Sequence, residues 1–209
     1  GVVGIDVADS WKRLLRGLWL SGLRLSEAIA LHWDRSDCPT GKCLEVDLSG
    51  KRPMFVIPAD LDKGNRDRLL PMAPEFAEFL LATPEDERHG AVFSVKRRRE
   101  RYTGEMRLIH VSATISKIGA KAGVKVNADS GKTASAHDLR RSFGQRWAAR
   151  VMPHILMQLM RHADISTTMK FYAGRDAEAT ADVLWAAIES KVPSEVPFAA
   201  NRRKKQLGN

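Results

Sequence analysis

The sequence is short of several features that would mark its class at once. It has 2 cysteines and 2 tyrosines among 209 residues. No apolar run approaches the roughly 18 residues that a membrane span needs. No signal-peptide pattern opens the chain, and no cluster of carboxylates is in place to hold two metal ions. These absences argue against a membrane protein, a secreted disulfide scaffold and a two-metal nuclease. Cys38 and Cys43 have no His/Cys cluster about them and are expected to be reduced and structural, with no zinc site. The expected compartment is the cytoplasm. Residue 1 is Gly rather than Met, so the chain is expected to be a fragment.

Hydrophobic residues make up 44%, enough for a core, and the length suits one domain with a tail. We expect a domain over 1–190 and a basic C-terminal tail over 191–209. The net charge is +9 and the pI is near 9.8, which favours a polyanionic partner, with nucleic acid foremost. Lys96, Arg97, Arg98 and Arg99 with Arg101 form one basic cluster, and Arg202 to Lys205 form another. Each could follow phosphates or be a solvated loop.

Taken in order, Ser10 is placed to cap a first helix that carries Leu14, Leu15 and Leu18, and Gly22 ends it. Ser26 is expected to cap a second helix that carries Ile29 and Trp33. Arg24 sits in the joint between apolar Leu23 and Leu25, where a charge needs a partner, and Glu27 is the nearest. Strands are expected over 43–48, 53–58 and 68–72, with Lys63 at the tip of the second turn. Further helices are expected from Pro74, over 104–123, around His137, from Pro153, from Asp164 to Tyr172, and over 176–190. Residues 127–133 read as loop. The fold class is therefore mainly α with a small antiparallel three-stranded β-sheet (α+β).

His137 and Arg140 are three apart and share a helix face beside the apolar stripe of Leu139, Phe143 and Trp147. That is a suitable wall for an anion. Alone it reads more readily as a helix cap beside a solvated charge, and Arg24–Glu27 alone could be a structural pair.

Four segments together resemble the tyrosine recombinase (phage integrase) family. Ser21 to Glu27, Ser-Gly-Leu-Arg-Leu-Ser-Glu, is similar to its first arginine box. Asp62 to Pro71 is similar to its β-hairpin lysine segment. His137 to Phe143 is similar to its His-x-x-Arg box, and Met160 to Tyr172 to its closing histidine and tyrosine. They stand in the family's order across residues 10–190. The resemblance implies the family's catalytic-domain fold and its chemistry on double-stranded DNA. Arg24 and Arg140 would clamp the scissile phosphate, whose oxygens suit the planar guanidinium fork. Tyr172 would attack to give a 3′-phosphotyrosyl link, and Lys63 would protonate the leaving 5′-oxygen. His137 would assist proton transfer, His162 would hydrogen-bond the phosphoryl group, and Glu27 would support Arg24. Lys96, Arg97, Arg98, Arg99 and Arg161 would contact DNA.

Two residues depart from the family pattern. Arg161 stands where the family usually has Gly, and Tyr172 lies ten rather than nine residues after His162, with Phe171 at nine. The implied partners are DNA and further recombinase protomers, as a tetramer on paired sites or a monomer for the isolated domain, at the nucleoid, with no membrane, no cofactor and no metal. A type IB topoisomerase, which uses much the same residues, and a catalytically inactive DNA-binding module are the alternatives.

Overall fold

The computed structural model describes residues 4–61, 67–97, 106–172, 181–182, 185–186 and 188. Two compact units divide the chain, Gly1–Phe171 and Tyr172–Asn209. In the second, the described residues after Tyr172 are helical. No helix among the described residues is long and apolar enough to cross a membrane.

The first unit begins with α1 (Ile5–Ser21), whose Trp11, Leu14 and Leu18 face the core. It starts earlier than Ser10, which lies inside it and donates to the Val7 carbonyl. Gly22 ends it at φ +64°, in the left-handed region that glycine tolerates best. A Cβ at Gly22 would also lie 2.4 Å from Phe143 Cδ1. Gly22→Ala is therefore expected to cost about 2–4 kcal/mol, combining backbone strain with overpacking. A lowered urea midpoint at unchanged slope would show it.

A short helix α2 (Leu25–Ile29) follows, with Arg24 rather than Ser26 at its N-cap, and it stops before Trp33. The chain then enters β1 (Leu31–His32), which pairs parallel with β2 (Leu44–Asp47). β3 (Met54–Ile57) and β4 (Arg68–Pro71) complete an antiparallel meander. The sheet thus has four strands, β1-β2-β3-β4, one more than expected. Its Phe55 stacks on Phe76 of α3 (Pro74–Leu81) at 5.6 Å between ring centroids.

α4 spans Leu108–Lys121 and buries Val111 and Ile115, while Ile109 is 68% exposed. Residues expected as loop form a hairpin instead, β5 (Lys125–Asn127) with β6 (Lys132–Thr133). α5 (Ala136–Ala148) packs along α1, with Phe143 fully inside. α6 (Pro153–Met160) buries Leu156 and Met160 and leads through Arg161 to α7 (Ile165–Met169). Asp164 caps α7 by accepting from Ser166 N–H at 2.8 Å.

The cysteines depart from expectation. Cys38 and Cys43 are joined as a disulfide, and His32 lies beside them. The proximity comes from the parallel pairing of Leu31 with Leu44, the residue after Cys43.

Candidate active site

Arg140 is the centre of the site. It is buried, 6% exposed, although its helix neighbours Arg141 and His137 face water. The cause is non-local. One guanidinium nitrogen donates to the Gly22 carbonyl and another to the Met160 carbonyl. Both carbonyls sit at helix C-terminal ends, where the backbone has no partner of its own and carries partial negative charge. Arg140 thus staples the ends of α1 and α6 together. Leu23-Arg24 and Arg161-His162 leave those same two ends, so one side chain sets the origin of both flanking motifs. Burial and the nearby Arg24 charge push the Arg140 pKa down to about 10, so it remains a cation at neutral pH.

Arg24 projects from the start of α2 with about half of its side chain exposed. Its backbone N–H donates to Glu27 Oε2 at 2.8 Å and its Nη1 to Glu27 Oε1 at 2.7 Å. Glu27 closes the first turn of α2 as the third helical residue and aims the guanidinium as well. A second contact, from Nη2 to the Arg161 carbonyl at 3.4 Å, reaches across to the α6 end. Each arginine so spends only part of its donor fork on the protein.

Arg161 turns inward. Its Nη2 pairs with Glu27 Oε1, and its side chain is only 16% exposed, which leaves little to meet DNA. Its backbone is left-handed, φ 50°, a conformation that favours the glycine usual in the family at this position. The shared carboxylate offsets that strain. Burial, with the repulsion of Arg24, pushes its pKa down to about 10.

His162 follows at the rim. Its Nδ1 lies 2.9 Å from the hydroxyl of Thr168, a fully buried residue. With that hydroxyl donating, Nε2 carries the ring proton and is a donor. Burial, then Arg140 and Arg24, lower its pKa and hold the ring neutral. Phe171 stacks on the ring at 6.0 Å between centroids. Phe171 comes this close to α5 because residue 144 is Gly: a Cβ there would lie 2.5 Å from Phe171 Cε1. Position nine after the histidine is therefore an inward packing position, filled by an aromatic ring.

Asp138 anchors the start of α5. It accepts from Ser135 N–H at 3.0 Å and Ser135 Oγ–H at 2.6 Å, and from Lys132 Nζ at 3.2 Å. Burial raises its pKa, but the bonds from Ser135 and Lys132 outweigh that and hold it below the usual carboxylate range. Its stabilising contribution is therefore complete above the unfolded value, about pH 4, and is lost as pH falls through the lower folded value. Asp138→Asn is expected to flatten the acid limb of the stability–pH curve and to cost about 1 kcal/mol at neutral pH. Urea titrations at pH 3 to 7 check this.

One cleft of about 730 Å³ gathers these groups: Arg24, His137, Arg140, His162 and Thr167 line it, together with Leu108. Four of the six expected catalytic residues therefore share one surface. Lys63 lies outside the described residues, as do Arg98 and Arg99; β3 and β4 form the hairpin whose connection contains Lys63. Lys96 is exposed and pairs with Asp6 at 3.7 Å, and Arg97 follows it in the same segment. Tyr172 is the first residue of the second unit.

Sequence reasoning passed over Asp138 and Thr168. The Ser135-x-x-Asp138 spacing was a readable capping signal. Thr168 had none, because its role depends on the fold of α7 beside His162.

No curated protein matches this chain. Solved structures do, with low identity. The Tn1549 transposon integrase, in complex with transposon right end DNA, has a TM-score of 0.56 and 18% identity, over 88% of this chain and 61% of that one. XerH recombinase bound to difH substrate has 0.52 and 16%, over 88% and 48%. XerA recombinase has 0.45 and 21%, over 90% and 65%. The chain thus spans less than two thirds of the length of these proteins. The likeness to the first two bears out the expected fold class, a tyrosine recombinase catalytic domain. The pattern of the phage integrase family matches residues 8–178, so this chain belongs to the phage integrase family, the tyrosine recombinases.

Proposed function

We propose that this chain is the catalytic region of a site-specific DNA recombinase or integrase, which cuts and rejoins double-stranded DNA through a phosphotyrosyl intermediate. The observation that carries this is the single cleft lined by Arg24, His137, Arg140 and His162. Two guanidinium groups with spare donors and a neutral imidazole suit a phosphodiester whose charge grows in the transition state.

In this reading Arg24 and Arg140 bind the non-bridging oxygens and His162 donates to one of them. The Tyr172 hydroxyl attacks phosphorus, its proton passing toward His137. The 5′-oxygen leaves and takes a proton from Lys63. The phosphotyrosine conserves the bond energy, so a 5′-hydroxyl from another strand reverses the step and rejoins DNA. Residues up to 190 form this catalytic region and the basic tail follows it. Lys96 and its neighbours add non-specific phosphate contacts that weaken with salt. Protomers act together on paired sites, in the cytoplasm.

Incubation with nicked duplexes carrying the ends of its own element tests the proposal. A denaturation-resistant protein–DNA adduct is expected. DNA binding without an adduct on any such substrate would favour the inactive module. Relaxation of supercoiled plasmid without a defined site would favour the topoisomerase.

A further inference from the structure

Another cavity of the first unit holds a set of groups that DNA cleavage does not use. It measures about 300 Å³ and is lined by His32, Cys38, Thr40, Lys42 and Cys43, with Ser26 at the side it shares with the catalytic cleft. His32 is 6% exposed and Cys43 is 1% exposed. One ligand atom from each of His32, Cys38 and Cys43 lies within 4.8 Å of the other two. Around a tetrahedral zinc ion with Zn–S of about 2.3 Å and Zn–N of about 2.0 Å, donor atoms are about 3.5–3.8 Å apart. The imidazole stands within reach of both sulfurs, and the sulfurs, once separate thiols, must part from bonding distance to that spacing.

The surroundings suit thiolates and a neutral imidazole. His32 Nδ1 lies 3.3 Å from the Ala30 carbonyl. A carbonyl only accepts, so Nδ1 carries the proton and Nε2 keeps its lone pair, the tautomer that metal-binding histidines adopt through such a bond. The Thr40 hydroxyl lies 3.5 Å from Cys38 Sγ, where it can donate to a thiolate. It also accepts from Lys42 N–H at 3.3 Å, which holds it in place. Gly41, at φ +65°, lets the chain turn back within the six residues from Cys38 to Cys43 and donates to the Cys38 carbonyl at 3.2 Å. Lys42 brings a positive charge to the wall of the same cavity. Two sulfurs and an imidazole select a soft or borderline cation over magnesium or calcium.

We propose that, with the Cys38–Cys43 bond reduced, His32, Cys38 and Cys43 bind one zinc-class divalent cation whose fourth position opens to the cavity and takes water. Reduction by a dithiol, itself oxidised to a disulfide, delivers two electrons and two protons to the sulfurs. Coordination then releases both protons to solvent. The ion would tie the end of β1 to the chain entering β2, directly after the helix that carries Glu27 and Arg24. The inference does not depend on the proposed DNA chemistry.

Cobalt(II) is the probe, because its thiolate complexes absorb in the visible and near ultraviolet. The reduced, metal-free chain is titrated anaerobically with Co²⁺ and then with Zn²⁺. One equivalent of Co²⁺ is expected to produce sulfur-to-metal absorption, and Zn²⁺ should displace it. Cys43→Ser should abolish the sulfur absorption, and His32→Gln should weaken Co²⁺ binding more than about 10-fold. A readout on the unaltered chain guards against variants that do not fold: Zn²⁺ should slow alkylation of both thiols. Absence of sulfur-to-cobalt absorption in the reduced parent, its persistence in Cys43→Ser, or equal alkylation with and without Zn²⁺ would overturn the site. A pair that resists reduction by dithiothreitol in the folded chain would overturn it too, as a permanent disulfide.

Discussion

Arg140→Ala is expected to lower cleavage of a nicked DNA substrate by about 10³-fold, the scale of losing one preorganised donor to a developing anion. It should also destabilise the first unit by about 2–4 kcal/mol, because the Gly22 and Met160 carbonyls would be left buried without donors. Both effects follow from one feature: the same guanidinium that faces the cleft also holds the ends of α1 and α6. Arg140→Lys separates them. An ammonium keeps the charge but cannot reach two carbonyls and a phosphate as a planar fork does. We expect it to regain part of the stability while cleavage remains low. Single-turnover cleavage and urea unfolding of the three proteins check this. Normal cleavage by a folded Arg140→Ala chain would remove Arg140 from the chemistry.

The burial of Arg140 also marks where sequence reasoning reaches its limit. Arg24, His137, Arg140 and His162 were legible because each sits in a local context of recognisable wording, and the order of the contexts carried the rest. The Arg24–Glu27 pair was legible too, because three residues on a helix turn bring side chains together. The partners of Arg140 were not, since they lie 118 and 20 residues away in sequence. β1 is only two residues long and offers no alternation to count, so the fourth strand went unseen. The β5–β6 hairpin is short and exposed, with no apolar face to announce it. The His32–Cys38–Cys43 group was missed for the reason that β1 was missed: only the parallel pairing of β1 and β2 brings it together.

The second large effect concerns the nucleophile. Tyr172→Phe is expected to abolish the covalent adduct altogether, leaving DNA binding within about twofold, since only one hydroxyl is removed and no phosphate-binding cation changes. The neighbouring position gives the control. Phe171 stacks on His162 and fills the space that Gly144 leaves, so it is a packing residue in this chain. Phe171→Leu should therefore destabilise the first unit by about 1–2 kcal/mol and lower the rate of adduct formation without abolishing it. The double replacement Phe171→Tyr with Tyr172→Phe, which restores the usual family spacing, should not recover the parent rate if Tyr172 is the residue this fold presents.

The most direct test of the central claim is to identify the residue that carries DNA. The adduct trapped on a nicked duplex is digested with nuclease and protease, and the peptide that retains a nucleotide is sequenced by mass spectrometry. The account predicts a nucleotide on Tyr172, and a yield on that peptide lower by about 10³-fold in Arg140→Ala at equal time. A nucleotide on Tyr102, or on any residue other than Tyr172, would contradict it.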